Sequence, residues 1–105
     1  MSVDIRVFSP TIGTGVQITA VAATSTVGVI DVNRAGQQIV VTNLGTDVAY
    51  VRTYDSENGV DTATSADYPV LGGTQIVLTK DPRHNSMAIL SAGTPIIHII
   101  KGNGI

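Results

Sequence analysis

The chain has 105 residues and a mass of 10.9 kDa, room for one domain over residues 1–105 around a single modest core. Charged residues make up only 13%, about half the usual share of roughly 25%, while hydrophobic residues reach 43% and the net charge is −2. This excludes the basic footprint of a nucleic-acid binder, the lack of cysteine excludes disulfides and thiolate metal sites, and no apolar run approaches the ~20 residues of a membrane helix.

Val3, Ile5 and Val7 alternate with Asp4 and Arg6, the period of two of a strand with one buried face. The same start lacks the basic and apolar regions of a signal peptide, so a soluble chain made in a cytoplasm is expected. Val16, Ile18 and Ala20 alternate again and run on through Val21-Ala22-Ala23. A third run covers Thr26 to Val32, with Val27, Val29 and Asp31 on one face and Ile30 and Val32 on the other. Gln38–Thr42 and Asp47–Arg52 flank Asn43-Leu44-Gly45-Thr46, which reads as a hairpin. In its second strand Tyr50, Arg52 and Tyr54 share one face, and Ala49, Val51 and Thr53 the other.

After a loop at Asp55–Gly59 comes a polar arm from Asp61, anchored at Tyr68-Pro69. Pro69 holds the arm's end extended, and Gly72-Gly73 permits a tight reversal before the strand Gln75–Thr79. Met87–Leu90 and Ile96–Ile100 read as a closing hairpin. The second of these is apolar on both faces except at His98, as expected of a central or covered strand. Helix signals are missing: the alanines at positions 20–23 are followed at once by Thr, Ser, Val and Gly. About eight short strands with Gly, Pro and Asn turns predict an all-β, single-domain β-sandwich, jelly-roll or Ig-like.

Few residues look chemical. Asp55-Ser56-Glu57-Asn58-Gly59-Val60-Asp61 resembles the start of a calcium loop, but Ala66 stands where the bidentate Glu belongs, and a solvated loop is expected. His84 and His98 have no metal-ligand spacing, and neither a nucleophile elbow nor a phosphate loop is present. His98, inside an isoleucine strand, is expected at an interface. A cofactor, a metal or enzymatic chemistry is therefore not expected.

Two segments together carry a resemblance. Val41-Thr42-Asn43-Leu44-Gly45-Thr46-Asp47-Val48-Ala49-Tyr50-Val51 is similar to a V-x-N-x-G-x-x-x-A-(Y/F)-V pattern of small bacteriophage and prophage proteins. Thr64-Ser65-Ala66-Asp67-Tyr68-Pro69-Val70-Leu71-Gly72-Gly73 resembles their T-x-x-D-Y/T-P-V-x-x-G segment, although the pattern often has a proline before the glycine. The similarity covers residues 37 to 105. It implies a virion structural component, and among small all-β members a capsid decoration or cement protein.

On that reading the chain works by contact, as a homo-oligomer on the major capsid protein lattice. It would sit on the capsid surface of the virion, after assembly in the host cytoplasm, with neither nucleic acid nor membrane as partner. The contact residues expected are Val3, Ile5 and Val7, the arm's end at Asp67, Tyr68, Pro69, Val70 and Leu71, and His98. A receptor- or glycan-binding module of a tail or fibre is the alternative.

Overall fold

The computed structural model describes residues 9–10, 15–31 and 38–103. Their strands are β1 (Ser9–Pro10), β2 (Val16–Thr19), β3 (Thr26–Val29), β4 (Gln38–Asn43), β5 (Ala49–Tyr54), β6 (Tyr68–Val70), β7 (Gln75–Thr79), β8 (Ser86–Ser91) and β9 (Ile96–Asn103). A single 3-10 turn, Ser56–Asn58, is the only helical element among the described residues. The strand expected at Val3–Val7 and the turn at Asn33–Gly36 lie outside the described residues.

Two antiparallel sheets result. The first has the order β1–β9–β4–β7, with β2 also paired to β9, and the second the order β3–β8–β5–β6. From β2 onward the chain changes sheet at every step except between β5 and β6. That is the jelly-roll alternative of the expected sandwich.

Alternation explains the core. Ile18, Ile39, Val41, Ile97 and Ile99 turn inward from the first sheet and meet Ala49, Val51, Val70, Met87 and Ile89 from the second. Gly28 lets the sheets approach, because a Cβ there would come within 2.6 Å of Ile18 Cδ1. Burying such side chains contributes about 1.5–3 kcal/mol each, the main force holding the sheets face to face.

Both expected hairpins are overturned. β4 and β5 belong to different sheets, as do β8 and β9, so each intervening turn is an arch across the core. A short glycine-containing loop between two β-branched runs serves either geometry. What decides is that Ile39 and Val41 pack towards Ala49 and Val51 through the core rather than beside them in one sheet.

Asn43 fixes the first arch. Its fully buried amide donates to the carbonyls of Asp47 at 2.8 Å and Val70 at 3.0 Å, and its Oδ1 accepts from Gly45 N at 2.9 Å. At the same end Gly72 lies against the Thr46 backbone where no Cβ fits, and Gly73 has φ +72°.

Two run lengths also change. β2 stops at Thr19, before a turn in which Thr24 N donates to Val21 O, and β3 stops at Val29. Ile30 and Asp31 both donate their N–H to Asn85 O, which bends the chain. Asp31 is thereby buried, not on the outward face of Val27 and Val29. β9 is central as expected, with β4 on one side and β1 and β2 on the other.

Candidate interaction surfaces

The outward face of the first sheet is built by the strand period alone. Register places Gln17 and Thr19 of β2, Ile96, His98 and Ile100 of β9, Gln38, Val40 and Thr42 of β4, and Gln75, Val77 and Thr79 of β7 on one side. Among the described residues of this face no Asp, Glu, Lys or Arg occurs. Its polarity comes from uncharged pairs, Gln38 Nε2 to Thr79 Oγ1 at 3.3 Å and Gln75 Nε2 to Thr42 Oγ1 at 3.0 Å. Ile96 on β9 and Val77 on the edge strand β7 stand 41% and 53% exposed. His98 is half-buried, with Gly15 lying close over its ring.

The charge that this face lacks is inside. Asp31, at the end of β3, binds Lys80 Nζ at 2.9 Å and Lys101 Nζ at 2.8 Å. All three side chains are buried, and they tie the end of β3 to the ends of β7 and β9. Among the described residues no buried side-chain polar atom lacks a hydrogen-bond partner. Desolvating a carboxylate and two ammonium groups costs several kcal/mol each, so the cluster persists only because its members stay paired. Sequence reasoning missed it. The one available signal was that Lys80 and Lys101 end two apolar strands in a chain with few charges.

The second sheet's outward face is covered in part by its own loop, while Val27 and Val29 of β3 stay exposed. Tyr54 and Ala88 form a small cluster with Ala63 of the polar arm, and Ala63 N donates to Ser25 Oγ at 2.9 Å. Arg52, on the same face as Tyr54, holds Asp67 at 2.9 Å and Asp61 at 3.7 Å. Asp67 Oδ2 also accepts from Thr64 N at 2.8 Å. The hydrogen bond from Arg52, assisted by the Thr64 amide and the guanidinium charge and opposed by burial, lowers the pKa of Asp67 below the usual carboxylate value. The Arg52 guanidinium is correspondingly held more firmly protonated.

The expected arm is therefore ordered by packing on its own body. Asp67 is turned to Arg52, and Val70 is fully buried in the core, which leaves its side chain nothing to offer a partner. Tyr68, Pro69 and Leu71 are exposed along the β6 edge. His98 stands on the other sheet. Val3, Ile5 and Val7 lie outside the described residues. The candidate contact residues among the described ones thus lie on two different sheets.

The chemical candidates separate too. His84 Nδ1 meets Thr53 Oγ1 of the second sheet at 2.8 Å, whereas His98 is on the outer side of the first. Asp55 caps the 3-10 turn through Glu57 N, Asp61 goes to Arg52, and no three His, Asp or Glu among the described residues group as metal ligands. Asp81 has a lowered pKa because its carboxylate accepts the Arg83 backbone N–H, a turn contact. An apolar hollow of about 320 Å³ is lined by Ala23, Tyr50, Leu90, Ser91 and Ala92, with almost no polar surface to orient a ligand. Comparison with protein-family models, curated proteins and solved structures returned no significant match.

Proposed function

We propose that the chain is a non-enzymatic bacteriophage virion protein, a head decoration or cement protein that binds the assembled capsid as a homo-oligomer and stabilises it. The observation that carries this reading is the outward face of the first sheet. Eleven strand positions there, from Gln17 to Ile100, hold only Gln, Thr, Val, Ile and His98, while Lys80 and Lys101, next to or on the same strands, are folded inward on Asp31. A sheet face turned to water alternates to polar residues, and here the polar positions are all uncharged and interspersed with Val and Ile. A face without charges loses little on being covered, since desolvating an amide or hydroxyl costs far less than desolvating a charge.

Further support comes from the residues that carry the phage-protein resemblance. Asn43 of one segment meets Val70 and Gly73 of the other, donating from its side chain to Val70 O at 3.0 Å and accepting at its backbone O from Gly73 N at 3.0 Å. Their spacing thus has a single structural cause. The jelly roll itself hosts unrelated functions and adds nothing specific.

The test is thermal disruption of purified heads that lack the protein, with and without its addition. A cement protein raises the disruption temperature saturably, at a fixed ratio to the capsid subunit. Unchanged disruption, together with binding to host cell-surface glycans, would instead favour the tail or fibre module.

A further inference from the structure

The second sheet's β6 edge carries Pro69, which cannot donate to a further strand. On the first sheet, β7 pairs with β4 on one side and has no strand partner on the other among the described residues. Edges of this kind are ordinarily guarded by a lysine, a proline or a bulge. Gln75-Ile76-Val77-Leu78-Thr79 contains no charge and no proline. The cation that follows, Lys80, is folded away from the edge onto Asp31 at 2.9 Å.

The polarity of β7 is also palindromic. Gln75, Val77 and Thr79 point out and are exposed, and Ile76 and Leu78 point in and are half-buried against the core. An antiparallel copy turned about Val77 sets Gln75 against Thr79, Ile76 against Leu78 and Val77 against itself. Every pair then matches in polarity and in face, which is what fixes strand register. The outer Gln–Thr pairing would repeat the chemistry already used between β7 and β4 at Gln38–Thr79 and Gln75–Thr42.

We infer that β7 is a self-association edge, which takes β7 of a second copy antiparallel about Val77 and joins two first sheets across a twofold axis. The inference deepens the homo-oligomer part of the proposed function and rests on that reading; Gln75, Val77 and Thr79 also belong to the outward face, so its test reads the free protein without heads. Five paired residues span about 17 Å, and such an edge falls short of the roughly 1,200 Å² of a stable interface. The dimer in solution is accordingly weak, and a lattice that holds copies at fixed spacing would strengthen it.

Sedimentation equilibrium from about 10 μM to about 1 mM protein reads the dimer directly. Wild type should shift from monomer towards dimer mass across that range. Val77→Lys puts like charges opposite each other and should weaken the dimer at least about tenfold, as should Val77→Glu. Val77→Thr, still uncharged, should retain it. An equal mixture of the Lys and Glu variants should recover a mixed dimer, a result that misfolding does not produce. A wild type that stays monomeric to about 1 mM, charged variants that dimerise like wild type, or a mixture without recovery would each overturn the inference. Head binding by a monomeric wild type would sink this edge alone; dimerisation without head binding would sink the capsid reading alone.

Discussion

Asn43 Nδ2 donates to the Val70 carbonyl oxygen at 3.0 Å, linking the end of β4 in one sheet to the end of β6 in the other. The same amide serves the Asp47 carbonyl, and its Oδ1 receives the Gly45 N–H. Asn43→Ala would orphan three backbone groups in a buried arch, at an expected cost of about 2–4 kcal/mol. Asn43→Asp keeps the acceptor and loses the donor, so chemical denaturation should place it with Asn43→Ala, not with wild type.

The buried cluster gives a second test. Asp31→Leu would leave the Lys80 and Lys101 ammonium groups buried without their shared carboxylate, and should cost about 3–5 kcal/mol. Lys80→Met should cost less, since Lys101 still binds Asp31. Replacing all three by Leu, Met and Met should recover most of the loss, because apolar side chains of similar volume carry no desolvation cost. Unfolding curves of the single variants and the triple variant check this non-additivity.

Acid should loosen the polar arm before the core. The lowered pKa of Asp67 means that the unfolded chain binds this proton more tightly than the folded one. The Arg52 contact therefore stabilises fully above the ordinary carboxylate pKa and is lost as pH falls through the lowered folded value. Titration by NMR should show the Asp67 pKa raised in Arg52→Met, since the largest cause of its lowering is gone. Amides near Ala63 should then exchange faster, while those of β9 keep their protection.

The turn at Val21–Thr24 stores strain. Ala23 has φ +57°, a left-handed conformation in which a Cβ is unfavourable, and its N–H donates to Ser91 O at 2.8 Å. Ala23→Gly should stabilise by about 0.5–1 kcal/mol after the added chain entropy, and Ala23→Val should destabilise. Thermal unfolding of both variants reads the sign.

Strand positions and their faces were legible because a period of two reports burial directly: Val16 and Ile18 turn in, Gln17 and Thr19 out, and β9 is central. Sheet membership was not. Asn43-Leu44-Gly45-Thr46 makes an arch because Asn43 reaches Val70, 27 residues away, and local turn chemistry carries no sign of so distant a partner. The seat of the arm was hidden for a related reason: small Ala63 suffices to place it on Tyr54 and Ala88, and one alanine in a polar run gives no sign of that contact. Asp31 and Lys101 are 70 residues apart, beyond any spacing rule.

The charge-free outward face of the first sheet is tested most directly by co-sedimentation with heads purified without the protein. Wild type should pellet with heads saturably. A Gln17→Lys/Ile96→Lys variant, charged on β2 and β9 away from the β7 edge and folded by circular dichroism, should bind at least about tenfold more weakly, because two ammonium groups would have to be desolvated. Wild type left in the supernatant would contradict the capsid reading, and a variant that pellets like wild type would contradict this face as the surface that is covered.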